Sequence, residues 1–353
     1  MGSGRIPAMI LHSDGFRKWD FQVERNRCCE RAVIKWILTL VTLAMLNLPY
    51  GYAQENGPAE IQTGLSGKVQ MGGVWMETNN QLNVHGANRR NQDLEGSGDY
   101  QESMQAFPLF EFSYRFDAWR EAYLKTPFSD NGYAVKAGYI QALGTAGGLD
   151  MSLFISPLQK VWKDPYLIAK ARQETQLDDF GIDLAYNRIG GSGLSAGYTA
   201  NWNRVHHDNI GERFDALERD GIIHSTSLKY SLFFGKTLSL TPGVRYSRAQ
   251  LDGASERYHE YRGELALQRF SEKWLLLLQL SAGSRQFDHA HPIFETTRRD
   301  TDWGALAMVT FLQPFGWQRC FLNVGAGRGV TQSEIDFFDQ QSTFLFSTVG
   351  YSF

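Results

Sequence analysis

Gly193-Leu-Ser195-Ala-Gly197 has the G-x-S-x-G spacing of a nucleophile elbow. That device needs a sharp strand-to-helix turn to lift the serine out of the backbone. Here Leu194, Ala196, Tyr198, Ala200 and Trp202 alternate with Ser195, Thr199 and Asn201, which spells a strand with no helix after it. Small side chains on a polar face are therefore expected rather than a nucleophile. His206-His207-Asp208 and the pair His289 and His291 come next. Two close histidines can hold a metal, but both groups fall in polar stretches where solvated side chains are expected. No catalytic residue, metal or cofactor is assigned. The remaining candidates are charges of both signs on polar strand faces: Lys68, Glu111, Arg115, Lys136, Asp183, Lys229, Arg245, Arg262, Glu264 and Arg285. They could line a pore and select solutes, or they could fill an interior as cross-strand ion pairs. Both readings stay open, because alternation does not give depth.

The elements that must carry these side chains are strands. Ala106, Pro108, Phe110, Phe112, Tyr114 and Phe116 alternate with Glu111, Ser113 and Arg115, and Thr226, Leu228, Tyr230, Leu232 and Phe234 alternate with Ser225, Ser227, Lys229 and Ser231. Successive side chains of a strand point to opposite faces, so each such segment has an apolar face and a polar one. Fourteen segments of this kind fit between residues 65 and 353. The weakest is 119–126, so twelve or sixteen also fit. Tight turns alternate with long polar stretches at 78–103, 158–177, 205–221, 288–299 and 331–339. Short connections at one end and long ones at the other are the pattern of a transmembrane antiparallel up-and-down β-barrel. Aromatics gather at the segment ends, among them Phe116, Trp119, Trp274, Phe315 and Trp317 at one rim and Trp75, Trp202, Tyr246, Tyr261 and Trp303 at the other. Two headgroup-level girdles are expected.

Composition agrees. The chain is 42% apolar and 13% aromatic with 35 glycines, yet its one long apolar run, Trp36 to Leu46, is too short to span a bilayer, which takes ~20 helical residues. That run follows Arg25, Arg27, Arg31 and Lys35 and precedes Gly51-Tyr52-Ala53, the layout of a cleavable signal peptide. Residues 1–53 are read as this leader. The acidic Asp14, Asp20 and Glu24 upstream of it suggest an over-extended start, with a true one near Val23. Residues 54–64 make a short periplasmic N-terminus and 65–353 the barrel. Cleavage removes 7 of 35 basic and 4 of 38 acidic residues and leaves a net charge of −6, so nucleic acid is an unsuitable partner. Cys28 and Cys29 leave with the leader, and Cys320 alone forms no disulfide.

The chain ends Val349-Gly-Tyr351-Ser-Phe353, a terminal aromatic with aromatic or apolar residues two and four back. Val349, Tyr351 and Phe353 are read as the signal that the barrel-assembly machinery recognises. Gly64-Leu-Ser-Gly67 to Val74, Phe110-Glu-Phe-Ser-Tyr-Arg-Phe116 with Lys125-Thr-Pro127, and Lys163-Asp-Pro-Tyr166 with Ala171-Arg-Gln-Glu-Thr175 resemble one family of Gram-negative outer-membrane barrels known only as a domain of unknown function. The resemblance spans nearly all of 60–353. It implies a fold and an outer-membrane location, not an activity.

A barrel of fourteen strands lies between the filled eight-stranded ones and the open sixteen- to eighteen-stranded ones. The expected function is a passive channel or diffusion transporter for small hydrophilic solutes, through a lumen lined mainly by small and polar residues. The rival is a structural or surface-interaction barrel closed by its own loops. A barrel hydrolase ranks last, since no outward-facing serine beside a histidine is evident. Outer-membrane lipid and lipopolysaccharide are the expected surroundings. Loop 78–103 has few apolar anchors, and such a composition cannot build its own core. It is expected to lean partly inward, pairing Asp93, Glu95 and Asp99 with Arg115, Arg245 and Arg262.

Overall fold

The computed structural model describes residues 63–84, 86–129 and 132–353; the leader assigned to 1–53 lies outside them. Fourteen strands form the barrel. In chain order they are β1 Gly64–Thr78, β2 Gln101–Arg115, β3 Arg120–Lys125, β4 Val135–Ala142, β5 Gly148–Ile155, β6 Glu174–Asn187 and β7 Leu194–Val205. Then come β8 Gly221–Tyr230, β9 Leu238–Leu251, β10 Tyr258–Phe270, β11 Trp274–His291, β12 Thr296–Leu312, β13 Cys320–Ser333 and β14 Gln340–Ser352. Each pairs antiparallel with its sequence neighbours, and β14 pairs with β1 from Lys68↔Ser352 to Thr78↔Ser342. The sheet is thereby closed, which leaves no strand edge of the barrel without a partner.

Two observations tell the faces apart. Leu65, Val69, Met71, Met151, Leu153, Leu228, Val244, Leu280, Leu345 and Val349 are exposed apolar side chains, all on one parity of their strands. The other parity makes contacts that skip a strand. Asn323 on β13 donates to Gln70 on β1, Tyr123 on β3 donates to Asp150 on β5, and Arg262 on β10 pairs with Asp302 on β12. Only the concave side of a closed sheet brings alternate strands within reach. The apolar parity therefore faces outward as a continuous band.

The weak segment is the shortest strand, β3, six residues long. Some connections are shorter than expected. The stretch 288–299 is mostly strand, because β11 and β12 run on past the rim and pair Ala290↔Thr297 and His291↔Thr296 above a β-bulge. Both ends of the described barrel chain, Gly64 and Ser352, lie at the short-turn end, where Gly64 pairs with Arg115.

The face assignment is directly testable. Leu228 is outward and half-exposed, whereas Ser227 faces Arg245 across the inner side. In lipid vesicles Leu228→Arg should destabilise the folded barrel by about 2–4 kcal/mol, the usual cost of a cation at the midplane. Ser227→Gln should change stability little; arginine would be a poor control there because it meets Arg245 and Lys229. Equal denaturant midpoints for the two variants would overturn the assignment.

Candidate functional site

The inner face places the ten charges named from the sequence in four groups. Five stand in one ladder along β8 to β11. Glu264 on β10 accepts from Lys229 on β8 at 3.0 Å and from Arg245 on β9. Two residues up the same strand, Arg262 bonds Glu260 at 3.1 Å and Asp302 at 2.9 Å, and Arg285 on β11 bonds Glu260 through Nε at 2.9 Å. Arg298 on β12 closes the top on Asp300 at 2.7 Å. Lys136 and Asp183 form a second group at 2.6 Å, with Thr199 donating to the same carboxylate. Lys68 and Glu111 are a looser, half-exposed pair at 3.6 Å. Arg115 stands apart from the rest and pairs with Glu121 near the short turns. Glu260, Asp300, Asp302 and Arg298 were not among the candidates. The first shares the parity of Arg262, a signal that alternation alone would have supplied. Arg298 lies in the stretch 288–299 read as a loop, and Asp300 and Asp302 open the strand that follows it.

The ladder is paired because it has to be. Glu260 and Glu264 retain only 8% of their side-chain surface and Asp300 2%. A carboxylate so far out of water is tolerable only with cations and donors around it.

The opposite wall departs from the small-and-polar expectation. Phe344, Phe346, Val74, Met76, Leu306 and Met308 share the inward parity. The rings of Phe346 and Phe344 lie over Gly325 and Gly327, where a Cβ would come within 2.3 Å and 2.2 Å of them. Glycine on one strand thus seats an aromatic from the next. The lumen is two-sided: charged along β8 to β12, apolar along β12 to β1.

Above the lumen the long loops share a core. Tyr166, Ile210, Leu217, Ile335, Phe337 and Phe338 are buried together, with Leu94, Phe214, Ile293 and Phe294 packed on them. These residues come from five connections spread round the rim, so the chain must cross the mouth to bring them together. Burial among rings pushes the Tyr166 phenol well above its usual range. His291, expected to be solvated, is 3% exposed and packs edge-on against Tyr166 and at a tilt against Phe294 and Phe338. His206 bonds Asp178, and Asp208 caps the short helix Asn209–Arg213 while pairing with Arg219. Among the described residues no cluster of His, Cys, Asp and Glu could hold a metal.

Loop 79–100 joins this cap, but not through the pairs expected. Arg115, Arg245 and Arg262 are taken by acids on the barrel strands, Glu121, Glu264, Glu260 and Asp302. The loop is held instead by its backbone. Buried Arg172 donates to the carbonyls of Asn88 at 2.7 Å, Gln81 at 3.0 Å and Pro165 at 3.0 Å, and stacks on Trp162. Burial lowers this guanidinium to about 10, so it stays charged at neutral pH. Beneath the loop lies a cavity of 220 Å³ bordered by Asn80, Leu82, Glu256, Tyr258, Arg285, Phe287, Arg298, Phe338 and Gln340.

Ser195 is inward on β7 and accepts a hydrogen bond from the Arg188 amide at 3.3 Å. Two histidines do face outward, His224 bonded to Tyr198 at 2.8 Å and His259 to Tyr246 at 2.6 Å. Among the described residues no serine is hydrogen-bonded to a histidine side chain. Val349, Tyr351 and Phe353 are all outward and about half-exposed.

A search of curated proteins finds no match. Solved structures of similar fold include a Pseudomonas aeruginosa FadL homologue, at 8% identity over 82% of this chain and 90% of that one, with a TM-score of 0.45. They also include the outer membrane channel DcaP of Acinetobacter baumannii, at 11% identity over 86% and 100%, TM-score 0.42. The outer membrane protein OprD of Pseudomonas aeruginosa matches at 8% over 82% and 94%, TM-score 0.37. Residues 64–352 match a family model across the whole barrel from β1 to β14, and the chain belongs to the family described as "protein of unknown function (DUF2860)".

Proposed function

We propose that the protein is an outer-membrane passive channel for small hydrophilic solutes, capped at its outer mouth by its own loops. The carrying observation is the inward ladder of ionised side chains from Lys229 to Arg298. A closed sheet with an apolar outside and charges inside suits a hydrated passage through lipid. On this reading the outward band meets outer-membrane lipid, with lipopolysaccharide at the loop end. Val349, Tyr351 and Phe353 are the contact for the barrel-assembly machinery, and the N-terminal leader is removed on export.

A second reading is a structural or surface-interaction barrel that conducts nothing. The shared apolar core of the cap favours it. Planar-bilayer recording separates the two. The channel reading expects discrete, small unitary steps that grow when the cap is loosened. Silence from both the intact barrel and a cap-loosened one would leave the surface role. Resistance to mild detergents that dissolve inner membranes is expected; recovery in the soluble periplasmic fraction would defeat both readings.

A further inference from the structure

Glu256 ends the single turn Ala254–Glu256, which is tied down by Ser255 donating to the Ala290 carbonyl at 2.8 Å. Glu256 borders the 220 Å³ cavity, and its carboxylate has no hydrogen-bond or ion-pair partner among the described residues. The two guanidinium groups of that cavity are held along one edge each. Arg285 gives Nε and Nη2 to Glu260 and keeps Nη1 4.0 Å from Asp300. Arg298 donates from Nε to Asp300 Oδ1, with Nη2 at ion-pair distance from Oδ2. Their planes rest on rings: Arg285 is 4.6 Å from Tyr258, and Arg298 is 4.7 Å from Phe287 and 3.6 Å from Phe338. A guanidinium has five N–H donors, so each keeps N–H groups that its carboxylate does not engage. Leu82, Phe287 and Phe338 supply the apolar part of the wall.

Three features must be satisfied together: an unpartnered acid, spare guanidinium donors and apolar walls. A simple anion meets the arginines but leaves Glu256 facing like charge. A simple cation meets Glu256 but faces two arginines. A hydrocarbon leaves both signs unpaired. On the channel reading above, we infer that this cavity is a solute-binding site for a small zwitterion, a free amino acid with an apolar side chain. Its ammonium lies at Glu256, its carboxylate at the open edges of Arg298 and Arg285, and its side chain on Phe287 and Leu82. At about 30 Å³ per water, the space equals several waters, enough for a molecule of about a dozen heavy atoms.

The protonation chemistry is consistent. Burial pushes Glu256 up to about 7, against the pull of Arg298, Arg219 and Arg285 and with the push of Asp208. The ionised form is the one that accepts an ammonium. Binding should therefore strengthen as pH rises from roughly 6 to 7.5, while the ligand amine stays protonated.

The test is calorimetric titration of the folded mature barrel in detergent. L-phenylalanine should bind, whereas phenylacetate, phenethylamine and glycine, which lack the ammonium, the carboxylate and the ring, should each bind about tenfold more weakly or worse, about 1.4 kcal/mol. Glu256→Gln should weaken phenylalanine binding by a similar factor and abolish its rise with pH. Leu82→Trp fills the cavity from the loop side and should also block binding, which guards against a misfolded Glu256 variant. Phenylacetate binding as tightly as phenylalanine, an unchanged Kd in Glu256→Gln, or no binding by the parent protein would each overturn the inference. Conductance without ligand is recorded on the same samples. A barrel that conducts but binds none of the four loses this site alone. A barrel that binds phenylalanine as described but never conducts keeps the site and loses the channel.

Discussion

Deleting residues 82–100 should raise unitary conductance severalfold, and Arg172→Ala should reproduce much of that rise without shortening the chain. The deletion is compatible with the barrel. Thr78 and Gln101 are the last paired positions of β1 and β2, so Asn79, Asn80 and Gln81 would remain as a three-residue link, a length hairpins commonly use. What is lost is the cap's attachment on that side: Leu82 from the cavity wall, Leu94 from the shared core and the Asn88 carbonyl that Arg172 holds. The point variant acts on the same joint from the other loop. Hydrogen bonds to a charged group contribute about 1.5–3 kcal/mol each, and Arg172 holds three different carbonyls while itself 1% exposed. A local unit held this way opens once such a joint is removed, while the barrel below keeps its own hydrogen bonds. Arg172→Lys should give an intermediate result, because a single ammonium cannot reproduce the planar fork. Unchanged conductance in both the deletion and Arg172→Ala, with the barrel shown intact by heat-modifiable mobility, would show that the cap does not limit the passage.

The barrel was legible in the sequence because every strand repeats its signal. Alternation at Phe110 to Phe116 or Thr226 to Phe234 is read many times over within one element, so the parity of Lys229, Arg245 and Arg262 followed from it. The cap was not legible, for the opposite reason. Leu94, Tyr166 and Leu217 each stand in a polar stretch, and each loop gives the core only one to three apolar residues. A lone apolar residue has no period, and only the closed sheet brings the five loops over one mouth. The extension of β11 and β12 is hidden in the sequence because Asp288, His289, Arg298 and Arg299 look like a solvated loop. Arg298 instead shares the inner side of β12 with Asp300 and Asp302, where the network lies. The inward Phe344 and Phe346 broke the polar-inside rule because it ignores the neighbouring strand, where Gly325 and Gly327 leave room for a ring.

Phe353→Ser should lower the yield of inserted barrel several-fold, and Gly67→Leu should do the same with the terminal phenylalanine still in place. The two variants attack one joint. The sheet closes where β14 meets β1, and beyond Ser352 the last residue continues the ladder: the Phe353 amide donates to the Gly67 carbonyl and the Gly67 amide to the Phe353 carbonyl, both at 3.0 Å. The ring then settles on the outward side, with Phe112 on the far strand 6.1 Å away between centroids. Gly67 makes this possible. A Cβ there would come within 2.6 Å of the Phe353 ring and 2.9 Å of the Phe112 ring, so any side chain must displace them. Serine at 353 keeps both backbone bonds and removes only the ring; leucine at 67 keeps the ring and removes its seat. If the aromatic serves only as a recognition tag for assembly machinery, Gly67→Leu should insert normally in cells, and Phe353→Ser should insert normally into pure lipid vesicles. If the seated ring is part of closure itself, both variants should also be slow in vesicles where no machinery is present. Closure joins β1 to β14, the strands most distant in sequence, a costly loop to shut before its contacts repay it. The ring stacked over Gly67 holds that seam while the ladder above it zips from Lys68↔Ser352 upward, so slow insertion of both variants in vesicles is the expected result.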